Sequence, residues 1–156
     1  MIMAWARLEA EEFNGQGFQI LDAAAITEGW FLERYGTASS LTGTALPQAQ
    51  AYSSSAGTTN PIGVAAWTLE AVEDTPSGNQ SWQKSREMNP ATKGRLYGKN
   101  LGSSDISIGS HVAANVSGFQ LATSGKFRIG KSEDDIAVGA SGFITFDTNN
   151  SVEIAS

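Results

Sequence analysis

A chain of 156 residues with a formal net charge of −6 and only 17% charged residues has the length of one domain. It contains no cysteine, which excludes a disulfide framework and a thiolate metal site, and no run of about 18 apolar residues that would make a membrane-spanning helix. Stability has to come from burial, hydrogen bonding or subunit assembly, in a composition rich in Gly, Ser, Thr, Asn and Ala that favours turns and strands over long helices.

The charge is unevenly spread. Residues 1–80 hold nine acids against Arg7 and Arg34, whereas residues 81–156 hold seven acids against eight bases. The basic run Lys84, Arg86, Lys93, Arg95 and Lys99 is interrupted by Glu87 and surrounds a proline-containing turn. It reads as a solvated or interface-facing loop, not as the concentrated cationic face that nucleic acid requires.

In chain order, "MIMAWARLEAEEF" lacks a basic stretch followed by an apolar one, so no secretion signal is read. Its part from Ala4 to Phe13 consists of good helix formers stopped by "NGQG", which fits a short helix or an extended arm. Ile2, Met3, Trp5 and Leu8 are many apolar side chains for a terminus, and they mark it as a docking element for a partner or for the domain itself. "FQILDAAAITEGWFLERYG", residues 18–36, is ambiguous between strand and short helix. These first 36 residues read as an arm and packing segment, and residues 37–156 as a β domain, the whole forming one globular unit.

Residues 37–61 are rich in Ser, Thr, Ala and Gly and predict a long surface loop. "IGVAAWTLEAV", residues 62–72, predicts a core strand that buries Trp67, and the stretch after it a second long loop with an edge strand around Leu96 and Tyr97. From Asp105 onward, period-two runs alternate with Ser-Gly and "SEDD" turns, the pattern of short antiparallel strands in a small sandwich or barrel. The expected core is Trp67, Leu69, Val72, Ile108, Val112, Phe119, Leu121, Phe127, Ile129, Ile144 and Phe146. "PIGVAAWTLEAVEDTPSG" and "RIGKSEDDIAVGASG" echo each other, but their spacing differs, which favours two similar hairpins over a duplication.

Little here points to catalysis. His111 is the single histidine and has no cysteine to work with, so a Cys–His nucleophile or a histidine-rich metal site cannot be assembled within the chain, and His111 reads as structural. Glu133, Asp134 and Asp135 are adjacent turn acids, which usually point into water; beside Lys131 they read as a solvated tip, with a weak Ca²⁺ site as the other possibility. Of Trp30, Trp67 and Trp82, candidates for an aromatic platform, Trp82 has the polar context of an exposed contact. No catalytic residue, cofactor or metal ligand is assigned.

The segment "ISIGSHVAANVSGFQLATSGKFRIGKSEDDIAVGASGFITF" resembles the bacteriophage capsid decoration, or cement, proteins. Gly109 and Val112, Gly118, Ile129 and Gly130, Gly139 and Gly142 stand where that family carries its glycine-punctuated strands. The resemblance implies a non-enzymatic virion protein on the outer capsid surface, a homotrimer that binds the major capsid protein and locks capsomers together. Ile2, Met3, Trp5, Leu8 and Trp82 are the candidate partner-binding residues. The other reading is a carbohydrate- or receptor-binding β-module of a phage tail or cell surface.

Overall fold

The computed structural model describes residues 7–20, 25–35, 47–70 and 87–155. These residues are mainly β, with no α-helix among them and one 3-10 turn at Thr148–Asn150. The strands are β1 (Arg7–Phe13), β2 (Phe18–Ile20), β3 (Phe31–Arg34), β4 (Gln48–Ala51), β5 (Gly63–Val64), β6 (Glu87–Met88), β7 (Ala91–Lys99), β8 (His111–Asn115), β9 (Gly118–Leu121), β10 (Phe127–Arg128), β11 (Gly130–Ser132), β12 (Ser141–Asp147) and β13 (Val152–Glu153).

Hydrogen bonding closes these strands into two small rings. In the first, β2 pairs β4 in parallel, then β4 with β3, β3 with β5 and β5 with the start of β7, all antiparallel; β6, just before β7, returns to β2. In the second, β7 pairs β12, β12 pairs β11, β11 pairs β8 and β8 pairs β9, all antiparallel. A parallel bridge from Phe119 to Asn100, the residue after β7, closes that ring. The strand β7 is therefore shared, its start at Ala91 pairing in the first ring and Lys93–Lys99 in the second.

The two rings are copies of one unit. Bridge Ile26↔Leu69 matches Ile106↔Ile136, and Leu32↔Gly63 matches Val112↔Gly130. Phe18↔Met88 matches Gly98↔Gly142, and Val64↔Ala91 matches Lys131↔Thr145. Gly29 N–H donates to the Ala65 carbonyl as Gly109 N–H does to that of Ser132, both at 2.9 Å. The echo noted in the sequence is thus a duplication: Ile62–Leu69 and Ile129–Ile136 occupy the same places without a gap. Unequal connections hide it, because residues 35–47 join β3 to β4 whereas Val116 and Ser117 alone join β8 to β9.

Packing shows how each copy fills the same space. The first ring encloses Phe18, Ile20, Ile26, Leu32, Ala49, Ala65 and Met88. In the second, Phe18 is replaced by Gly98 and Ala49 by Phe119, so the bulky ring has moved to the other side of the parallel contact. A Cβ on Gly98 would lie 3.0 Å from the Phe119 ring. Between the rings, Phe31 meets Phe146 edge to face at 6.3 Å and joins Tyr52 and Val64 in the larger core cluster. Tyr52 donates to the Thr59 carbonyl at 2.6 Å, and burial above all pushes its phenol pKa up. The second copy's counterparts of Phe31 and Tyr52 are His111 and Ala122, both half-buried, which is why the lone histidine lies outside the core.

Several expectations need correction. The helix-forming run before "NGQG" is, from Arg7 onward, strand β1: β7 offers an open edge, and pairing Leu8 with Leu96 satisfies backbone groups that a short isolated helix leaves marginal. Segment 18–36 supplies strands β2 and β3, and the supposed loop 37–61 contains strand β4. Leu96 and Tyr97 lie in the middle of the structure, with β1 on one side of β7 and β12 on the other. Trp67 sits in a bend after the two-residue β5 and is 45% exposed, and Ile108 occupies a turn and is 65% exposed. Leu69, Leu121 and Phe127 are half-buried, and Val72 lies outside the described residues. Val112, Phe119, Ile129, Ile144 and Phe146 are buried as expected.

Candidate functional site

The turn aspartates serve the backbone, and Glu133 holds a side chain. Asp135 accepts from Ile108 N–H at 2.8 Å, and Asp105, one half of the same twin turn, accepts from Val138 N–H at 3.0 Å. Asp134 accepts from Phe143 N–H at 2.7 Å, and Glu133 takes the Arg95 Nε–H through both oxygens, at 3.1 and 3.0 Å. The solvated-tip reading therefore needs correction for Glu133 and Asp134, which are half-buried on their donors, whereas Asp135 is exposed as expected while also holding one. Among the described residues, no three His, Cys, Asp or Glu side chains are grouped to hold a metal ion. Asp134→Ala should cost about 1.5–3 kcal/mol in chemical denaturation, whereas replacing a solvated acid would stay within about 0.5 kcal/mol.

Arg95 organises the outer sheet face. Cross-strand neighbours His111, Lys131, Thr145, Arg95 and Glu9 form one row over β8, β11, β12, β7 and β1. The Arg95 guanidinium lies 3.7 Å from the Phe143 ring centroid, and Tyr97 packs against that ring at 4.9 Å. The hydrogen bond to Glu133 holds the Arg95 pKa above its ordinary value. Next along the row, Arg128 Nη1 lies 3.3 Å from His111 Nε2; since arginine can only donate, that nitrogen is the acceptor.

Of the partner-binding candidates, Leu8 is half-buried against the main core, so part of its apolar surface is already used within the chain. Ile2, Met3, Trp5 and Trp82 lie outside the described residues. The structure draws attention instead to the twin turn. Its halves, Asp105–Ser110 and Asp135–Ala140, are tied by reciprocal backbone bonds between Ile106 and Ile136 of 2.9 and 2.8 Å. Gly109 and Gly139 take φ of +84° and +81°, which only glycine adopts cheaply. Ile108 and Val138, one on each half, are 65% and 49% exposed. The first ring has Glu28 at the place of Ile108, so the turn does not need an apolar residue there.

A second feature is a cleft between the rings with a volume of about 340 Å³. Thr27 and Trp30 line it from the first ring, and Lys99, Ser117 and Ser141 from the second. Periodicity could not reveal this site, because it exists only where the two copies meet.

No protein-family model and no curated protein matches the chain. Among solved structures, it is similar to the N base of the head fiber gp8.5 of bacteriophage phi29. That likeness has a TM-score of 0.50 at 11% identity and covers 85% of this chain and 92% of that one. At this identity it establishes a shared fold.

Proposed function

We propose that the protein is a structural component of a phage virion that attaches to the outside of the capsid. The observation carrying this reading is the shared fold with the phi29 head fiber base over nearly the whole of both chains. The glycine-punctuated strands that resemble capsid decoration proteins support it from the sequence side. Within this reading the major capsid protein is the partner, and a homotrimer would let several weak contacts act together to stabilise neighbouring capsomers. Ile108 and Val138, rigidly held and exposed, are the described residues best suited to meet the shell.

Co-sedimentation of the purified protein with capsids of its phage tests the proposal. Saturable binding is the expected result, and Ile108→Asp with Val138→Asp should weaken it at least about tenfold with little change in melting temperature. Protein that stays in the supernatant at all concentrations would overturn the virion reading. Binding unchanged in a folded double variant would remove the twin turn from the interface.

A further inference from the structure

We propose that the cleft between the two rings is a saccharide-binding site with a preference for sugars bearing a carboxylate. This inference goes beyond the virion reading and does not depend on it.

Trp30 is half-buried, packed on the first ring's core, and also lines the cleft. An indole anchored on one side and open on another is suited to stack against the apolar face of a pyranose. The duplication supplies an internal comparison: Ser110 occupies the place of Trp30 in the second copy, after a glycine of the same left-handed conformation, Gly109 at φ +84° against Gly29 at +94°. The turn therefore does not require tryptophan, and the residue is free to serve the cleft.

The polar lining matches sugar hydroxyls. Among the described residues, the hydroxyls of Thr27 and Ser141 make no hydrogen bond, leaving each able to donate and accept. Ser117 donates to the Val116 carbonyl at 2.7 Å and keeps its lone pairs for a ligand. It is also the one non-glycine among the described residues with positive φ, +57°, a costly conformation that gathers at binding sites. Among the described residues, Lys99 is the only charged side chain in the lining, so an anionic sugar finds a cation there and no carboxylate from those residues opposing it. A volume of about 340 Å³ suits one or two sugar rings, and such pockets form preferentially where two structural units meet.

The test is a titration of the ¹⁵N-labelled full chain with sialyllactose and tetragalacturonate and with the neutral lactose and cellotetraose, following the Trp30 indole signal, assigned through Trp30→Phe. At least one acidic sugar should shift that signal saturably and bind more tightly than its neutral counterpart. Trp30→Ala should weaken binding at least about tenfold, and so should Ser141→Leu, which fills the cleft and serves if the first variant does not fold. Lys99→Ala should abolish the acidic preference, and Trp67→Ala should change nothing. The site is overturned if no probe gives a saturable shift at millimolar concentration, if binding survives Trp30→Ala and Ser141→Leu, or if Trp67→Ala abolishes it. An acidic preference that persists in Lys99→Ala would overturn the assignment to carboxylate-bearing sugars.

Discussion

Phe119→Ala should destabilise the protein by about 3–5 kcal/mol, read as a lower urea midpoint at unchanged slope. Its ring is fully buried and fills the second ring's interior beside Gly98, so truncation leaves a cavity that closed strands cannot easily collapse. Phe127→Ala, half-buried on the two-stranded β10–β13 sheet, should cost clearly less. Gly98→Phe combined with Phe119→Ala copies the first ring's arrangement, with the aromatic on β2 and alanine on β4. It should recover part of the loss, so the two changes together cost less than their sum. A sum that is simply additive would show that the two sites do not share one space.

Gly130→Ala should be at least as damaging, at about 3 kcal/mol or more. A Cβ there would lie 1.8 Å from the Thr145 carbonyl oxygen and 2.8 Å from its carbon, both backbone, so β11 would have to leave β12. The other copy has the same need: a Cβ on Gly63 would lie 2.6 Å from the Pro90 side chain and 2.8 Å from the Ala91 carbonyl oxygen. Gly125 makes the useful contrast. Its Cβ would meet nothing, but its φ is +84°, so Gly125→Ala carries only the conformational penalty of about 1 kcal/mol. Equal losses in both variants would show that the close approach at Gly130 is absent in solution.

Much of the second ring was legible because its turns are short. Phe119 with Leu121, Phe127 with Ile129, and Ile144 with Phe146 each stand two apart between short turns, and nothing intervenes to shift the phase. The first ring was obscured by the residues that join β3 to β4, and by Ala and Gln at β4 positions where a strand signal would need larger or β-branched residues. Ile108 misled because period two was read through a turn, where a side chain of core parity points outward. Arg7–Phe13 misled differently: Leu, Ala and Glu favour helix, but the neighbouring edge of β7 was a stronger, non-local influence. The cleft could not be read at all, since Trp30 and Ser141 come to line one space only after both copies have folded.

The strand common to both rings has a mechanical consequence. Because β7 runs unbroken from Ala91, paired to Val64 in the first ring, to Lys99, paired to Ser141 in the second, the rings are joined along a hydrogen-bonded strand and not by a hinge peptide. A pull along that strand, drawing the rings apart, is met by the seven paired positions from Lys93 to Lys99 in shear, all strained together, instead of being unzipped one at a time. Anything fixed to one ring therefore has its tension delivered to the other through a stiff element.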